Sequence, residues 1–258
     1  MSSSFNQFNS LHTSPDLFVL PNVWNAKSAI RFQENHFPAV ATSSAAVANS
    51  LGYQDGEDMP FSDYLFIIRR IISSVKIPLS VDIEMGYGKS REAIYNNIRQ
   101  LIDLGVAGIN IEDSLIQGSG RVLGDADAFA QTIAHIRNGL AIQNARLFIN
   151  VRCDTFLLNI DNKVQESIRR LALYEASGAD GIFLPCITRE TDIAEVVSHT
   201  KLPLNVMCIP RLPDFDALQQ LGVKRVSMGP FLFNKAYGSI DSLSQAIAKS
   251  NSFAPILS

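Results

Sequence analysis

Acidic residues in this chain fall at spacings that could hold a cation. In Leu79-Ser80-Val81-Asp82-Ile83-Glu84, read as a strand, Asp82 and Glu84 share one face because strand side chains alternate. The next apolar run repeats the design: Ile109-Asn110-Ile111-Glu112-Asp113 puts Asn110 and Glu112 on one face and Asp113 on the other. Carboxylates gathered this closely repel one another and raise each other's pKa unless a cation is shared. Oxygen-only ligation suits Mg²⁺ or Mn²⁺, and Mg²⁺ keeps several waters, so one direct carboxylate with others holding those waters would suffice. The plainer use of the same acids is to cap helices or to pair with basic residues. A third run, Ile149-Asn150-Val151-Arg152, brings the opposite charge. Its guanidinium could clamp a substrate carboxylate through two parallel hydrogen bonds, or pair with Glu112. The small residues of Ala41-Thr42-Ser43-Ser44-Ala45-Ala46 would let hydroxyls and backbone N–H groups approach an anion. Asp55, in Gly52-Tyr53-Gln54-Asp55-Gly56, reads by itself as a turn residue.

These residues need a scaffold that brings them to one rim. Short apolar runs that read as strands recur at Leu17 to Val23, Ala39 to Ser43, Leu79 to Glu84, Ala107 to Glu112, Leu147 to Arg152, Gly181 to Pro185, Leu204 to Met207 and Arg225 to Met228. Between them lie segments with helical apolar spacing, such as Tyr64 to Val75, Ala93 to Leu104, Phe129 to Leu140, Val164 to Ala176 and Ile193 to Val197. Alternation of buried strands with helices predicts a parallel sheet covered by helices. Eight such units in 258 residues point to one (β/α)8 TIM-type barrel spanning residues 1–258, with an open doubly wound sheet as the competing architecture. Glycines at Gly105, Gly178 and Gly222 sit at three similar helix-to-strand passages, as helix stops should. The Ser-rich start and the residues after Ser250 are expected to fray, and only a short segment follows Gly229. In such a barrel, chemistry gathers where strands end and the following loops begin, which is where the acids and Arg152 fall.

Composition excludes several classes. Net charge is −3, and the basic residues are scattered, so nothing predicts a nucleic-acid partner. No apolar run reaches the roughly 20 residues a membrane helix needs, and the start has no leader pattern; a cytoplasmic protein is expected. Cys153, Cys186 and Cys208 have no CxxC spacing and are expected to be buried small hydrophobes rather than a zinc site or a disulfide framework. His12, His36, His135 and His199 are placed too far from the strand ends for a histidine base. Gly86-Tyr87-Gly88 lacks the spacing and position of a dinucleotide-binding loop.

Several ordered segments together resemble the isocitrate lyase and phosphoenolpyruvate mutase superfamily, from Pro21 to about Gly229. They are Val23-Trp24-Asn25-Ala26-Lys27-Ser28-Ala29, Ser43 through Leu51-Gly52-Tyr53-Gln54-Asp55, Val81-Asp82-Ile83-Glu84-Met85-Gly86-Tyr87-Gly88, Ile111-Glu112-Asp113, Asn150-Val151-Arg152-Cys153-Asp154 and Tyr174-Glu175-Ala176-Ser177-Gly178-Ala179-Asp180. The resemblance implies that Asp82 binds Mg²⁺ (or Mn²⁺) directly while Asp55, Glu84 and Glu112 hold its waters. It also implies that Arg152 takes a substrate carboxylate, that Ser43 with the Ser44 and Ala45 amides takes the other anionic end, and that Asn205 lies at the substrate. Family chemistry makes or breaks a bond beside a metal-chelated 2-oxo acid, usually through an enolate, and members are often tetramers that exchange C-terminal helices, which implies a homo-oligomer, dimer or tetramer, for this chain.

The chain also departs from the family. Isocitrate and methylisocitrate lyases carry a Lys-Lys-Cys-Gly-His loop after Ile-Glu-Asp, whereas here Ser114-Leu115-Ile116-Gln117-Gly118-Ser119-Gly120-Arg121 has neither lysine nor cysteine. Phosphonate-handling members use a histidine where this chain has Cys186 after Pro185, and Glu84 replaces an aspartate. The expected activity is therefore C–C bond cleavage in a small 2-oxo or 2-hydroxy (di)carboxylic acid, such as oxaloacetate decarboxylation or a retro-aldol reaction. A phosphoenolpyruvate or carboxyphosphonoenolpyruvate mutase and a catalytically weak 2-oxo-acid binding protein are the alternatives.

Overall fold

The computed structural model describes residues 3–118 and 120–257. In chain order the elements are α1 (Ser3–Thr13), β1 (Phe18–Leu20), β2 (Asn22–Val23), α2 (Ala26–Glu34), β3 (Val40–Thr42), α3 (Ser44–Ser50), α4 (Phe61–Ile72), β4 (Leu79–Asp82), α5 (Arg91–Asp103) and β5 (Gly108–Glu112). There follow β6 (Ser114–Gln117), β7 (Gly120–Leu123), α6 (Ala126–Ile142), β8 (Phe148–Arg152), α7 (Lys163–Ala176), β9 (Gly181–Phe183), α8 (Glu190–Ser198), β10 (Leu204–Met207), α9 (Phe215–Gln220), β11 (Arg225–Ser227), α10 (Phe231–Ser250) and α11 (Ala254–Leu257).

Nine parallel strands run in the order β1-β11-β10-β9-β8-β5-β4-β3-β2. Pro21 explains why nine strands make eight staves. It has no N–H to give to a ladder, and it divides the first stave into β1, which pairs with β11, and β2, which pairs with β3. The Pro21 carbonyl still accepts from the Ala41 amide at 2.9 Å, so the broken stave links the two ends of the sheet. This is the barrel that the alternating pattern predicts.

Between the strands and the helical ring lies the apolar core, with Ile68 and Ile71 of α4, Ile98 and Leu101 of α5, and Ile133 and Ile136 of α6 all buried against strand residues such as Val81, Ile109 and Val151. Helix starts are fixed by side chains that replace missing backbone partners. Ser90 accepts from the Ala93 amide at α5, Asp125 from Ala128 at α6, and Asn25 with Ser28 forms a capping box at α2.

Four features differ from the expectations. First, Ser3–Thr13 do not fray: as α1 they close the bottom of the barrel, where Phe8 is fully buried with Leu20, Ala41 and Phe148, while Met1 and Ser2 lie outside the described residues. Gly108 permits this, because a Cβ there would stand 2.8 Å from the Phe8 ring. Second, the chain after Gly229 is a 20-residue helix, α10, followed by a short α11. Phe233 is its buried residue, while Tyr237, Ile240 and Leu243 are exposed. Third, an antiparallel hairpin, β6 with β7, rises directly from the end of β5. Fourth, Cys208 is exposed and Cys186 intermediate, so only Cys153 is a buried small hydrophobe. Among the described residues, no helix is long and apolar enough to cross a membrane.

Candidate active site

Strand register assembles the site. β4, β5 and β8 align Asp82 with Asn110 and Asn110 with Asn150, and one step along, Glu112 with Arg152. Alternation turns Asn110, Glu112, Asn150 and Arg152 into the barrel and Asp113 outward, as the sequence predicts. There Asp113 accepts from Tyr174 Oη at 2.7 Å and Arg170 at 3.1 Å, tying the strand to α7. A cavity of about 200 Å³ opens at this end of the strands, lined by Ser43, Ser44, Ala45, Asp55, Asp82, Arg121 and Arg152 among others. That is small beside pockets for drug-sized ligands.

Asp82, the last residue of β4, is held from three sides. Its amide donates to Thr42 Oγ1 at 3.0 Å, its carbonyl accepts from Tyr64 Oη at 2.8 Å, and its Oδ2 accepts from Ser44 Oγ at 2.9 Å. The other carboxylate oxygen, Oδ1, is buried and has no hydrogen-bond partner among the described residues. Burial raises the pKa of Asp82, opposed chiefly by the charge of Arg152. A bare, desolvated carboxylate oxygen is what a hard cation would relieve.

The two glutamates behave differently from Asp82. Glu84 lies past the end of β4 in the left-handed region, at φ 51°, and does not share a strand face with Asp82. Its Oε2 accepts from the amides of Gly56 and Glu57 at 2.8 and 3.0 Å, and its Oε1 from Tyr87 Oη at 2.7 Å. Glu57 reciprocates by accepting from the Tyr87 amide at 2.6 Å. The loop carrying Asp55 and the loop after β4 are thus clasped together, which accounts for the positive φ of Glu57, Glu84 and Tyr87. Burial, then the neighbouring Asp55, pushes the Glu84 pKa up to about 7. Glu112 is flanked by two guanidiniums: Arg152 Nη1 stands 2.8 Å from Oε2, and Arg121 contacts Oε1. Neither Glu84 nor Glu112 lines the cavity.

Arg152 spends its fork on Asp154, with Nε 2.6 Å from Oδ1 and Nη2 3.1 Å from Oδ2. Burial is the largest single influence and works against its charge, but Asp154, Asp82 and Asp55 together hold the guanidinium pKa above the ordinary value. Ser43 caps α3 by accepting from the Ala46 amide, and its own amide donates to Val23. Ser44 serves Asp82, which leaves the Ala45 amide, in the first turn of α3, without an intrahelical acceptor. Asn205 is brought into the barrel but not to the cavity: it is buried among Val206, Arg225 and Ser227 and accepts from Asn150 at 3.3 Å. Beneath it, Arg225 is fully buried and donates to Asn110 at 2.9 Å, and burial lowers its pKa to about 9.

Sequence reasoning did not single out Arg121 or Asp154 as site residues. Asp154 was legible from its spacing of two from Arg152 on the same strand extension. Arg121 was not, since only the fold of the hairpin returns it to Glu112. Among the described residues, no three His, Cys, Asp or Glu side chains converge as a ready ligand set. The donor set instead fits an ion that takes one direct carboxylate and keeps its waters, with Asp82 as that carboxylate and the 46%-exposed side chain of Asp55 across the cavity.

Comparison with known proteins agrees with this architecture. The family model for phosphoenolpyruvate phosphomutase matches residues 8–248. An uncharacterized protein of Mycobacterium tuberculosis (strain ATCC 25618 / H37Rv) is 33% identical over 222 residues, covering 86% of this chain and 81% of its own. The oxaloacetate decarboxylase of Ectopseudomonas mendocina is 28% identical over 230 residues, covering 86% of this chain and 77% of its own. A solved structure from Burkholderia cenocepacia J2315, provisionally designated a phosphonomutase, superposes with a TM-score of 0.89 at 31% identity, covering 95% of this chain and 100% of that one.

Proposed function

The chain belongs to the phosphoenolpyruvate phosphomutase family and is an enzyme of the isocitrate lyase and phosphoenolpyruvate mutase type, and from that premise we propose that it is a Mg²⁺- or Mn²⁺-dependent lyase that cleaves a C–C bond in a small 2-oxo or 2-hydroxy dicarboxylic acid. The observation that carries this reading is the buried, unpartnered Oδ1 of Asp82 at a small cavity that Arg121 and Arg152 also line.

In this reading Asp82 holds the ion directly and Asp55 acts on its waters, while Glu84 and Glu112 stand behind the cavity wall, Glu84 holding the Asp55 loop and Glu112 holding Arg121 and Arg152. A bound divalent ion would supply Lewis acidity beside a 2-oxo acid. The protein's own groups do the rest. Ser44 fixes the orientation of Asp82, and the clasp between Glu84 and Gly56 holds the Asp55 loop over the cavity. Arg152, kept cationic by Asp154, meets negative charge as the C–C bond breaks, and its rigid mounting means little reorganisation is needed at that moment. Ser43, Ser44 and Ala45 also line the cavity, on the side of Asp82, where the carboxylate next to the 2-oxo group would lie.

The 28%-identical oxaloacetate decarboxylase favours decarboxylation, and the likeness to the Burkholderia structure keeps a phosphonate mutase as the second reading. Purified protein with Mg²⁺ should release CO₂ from oxaloacetate or cleave a 2-methylmalate, and leave phosphonopyruvate unchanged. Turnover of phosphonopyruvate with its phosphorus–carbon bond retained would replace this reading with the mutase. We also read the exposed apolar residues of α10 as the contact through which copies of the chain form a dimer or tetramer.

A further inference from the structure

The hairpin of β6 and β7 is held at two places. Its base is closed by the Gly124 amide, which donates to the Asp113 carbonyl at 2.8 Å, with no room for a side chain at Gly124. Further out it rests on the Asp55 loop, since a Cβ at Gly56 would stand 3.2 Å from Ile116 Cγ1. Arg121 lies opposite Ile116 in this hairpin, and its side chain, 15% exposed, turns into the cavity wall.

The pairing of its nitrogens is informative. Nη1 serves Glu112 and donates to Ser114 Oγ at 2.8 Å. Nη2 comes only to 3.7 Å from Asp55 Oδ2, and neither Nη2 nor Nε makes a hydrogen bond among the described residues. Nε and Nη2 form the edge of a guanidinium whose two parallel N–H bonds match a carboxylate. In Arg152 that same edge is taken by Asp154. The cavity therefore has two arginines, of which only Arg121 keeps this bidentate edge open. Charge fits the division: Arg152 is held closely by both Glu112 and Asp154, whereas Arg121 is held closely by Glu112 alone and reaches Asp154 and Asp55 only at 3.7 Å.

We propose that Arg121 is a specificity-determining residue that receives the carboxylate of the substrate farther from the 2-oxo group, so that the site selects dicarboxylates over monocarboxylates. The inference rests on the reading of the cavity as a 2-oxo-acid site and assigns its far end. It also gives the hairpin a role in place of the lysine and cysteine absent from Ser114 to Arg121.

Pyruvate and oxaloacetate, which differ by that one carboxylate, provide the test. Calorimetry with pyruvate and Mg²⁺, and initial rates or competition binding with oxaloacetate, would be measured for the wild type, Arg121→Gln and Arg121→Lys, with thermal melting as the folding check. Arg121→Gln should weaken oxaloacetate by roughly 10- to 100-fold and leave pyruvate within about threefold. Arg121→Lys, which keeps charge but loses the edge, should fall between. Equal loss for both acids, or no loss for oxaloacetate, overturns the role of Arg121 while the 2-oxo-acid reading stands. A wild type that binds neither acid with Mg²⁺ overturns that reading and this inference with it.

Discussion

Ser44 donates its hydroxyl to one oxygen of Asp82 at 2.9 Å, while the other oxygen of that carboxylate, buried at the same cavity, accepts from none of the described residues. The carboxylate is thus oriented on one side and exposed to a cation on the other. Asp82→Ala should abolish Mn²⁺ binding measured by calorimetry, together with metal-dependent binding of 2-oxo acids. Ser44→Ala, which removes only the orienting bond, should weaken the metal by about 10-fold. Unchanged affinity in Asp82→Ala would refute the metal assignment.

Glu84 acts first as a fastener between loops. Replacing it with Ala removes the acceptor for the amides of Gly56 and Glu57 and for Tyr87 Oη. Hydrogen bonds to a charged group contribute roughly 1.5–3 kcal/mol each, so amide exchange at Gly56 and Glu57 should accelerate at least about 10-fold. Protection at those two amides equal to the wild type would show that the loop is held by something else.

His12 predicts an acid limb of stability far from the chemistry. It stacks on Phe148 at 4.0 Å and donates from Nδ1 to the Phe8 carbonyl at 2.9 Å, with Nε2 buried and without a partner among the described residues. Burial, reinforced by Arg225, lowers its pKa from 6.5 to about 3. The unfolded chain therefore takes up the proton first. The stability is fully present above pH 6.5 and is lost as pH falls toward 3, with a slope approaching about 1.4 kcal/mol per pH unit from this group. Denaturant melts of His12→Phe across pH 4 to 7 should show a shallower slope than the wild type; identical slopes would assign the acid limb to other groups.

Tyr237, Ile240 and Leu243 leave α10 with exposed apolar side chains. Tyr237→Asp with Leu243→Asp should lower the mass seen by sedimentation while leaving the barrel's circular dichroism unchanged. An unaltered mass for the variant would place any association elsewhere on the surface.

The local pattern carried much of the barrel. Near-continuous apolar runs such as Ala107 to Glu112, broken by Gly105 and by helical spacing, are short-range signals that barely depend on what packs against them. The bottom helix carries a helical apolar spacing, Phe5, Phe8, Leu11 and His12, but it is short and set in a Ser- and Asn-rich stretch that reads as a polar terminus. Their burial depends on a barrel floor that exists only once the strands have closed.

Strand alternation and parallel pairing were written in the sequence, and they fixed which side chains of β5 and β8 face inward, hence the pairing of Glu112 with Arg152. The acids of the proposed metal site and the family were legible there too. The tertiary structure alone decided that Glu84 leaves the strand to clasp Gly56, that Asn205 stays below the cavity, and that Arg121 returns on a hairpin to Glu112. The reason is physical: side-chain alternation is set by the covalent chain, whereas turns with positive φ and long-range ion pairs are set by contacts between segments that meet only in the folded barrel.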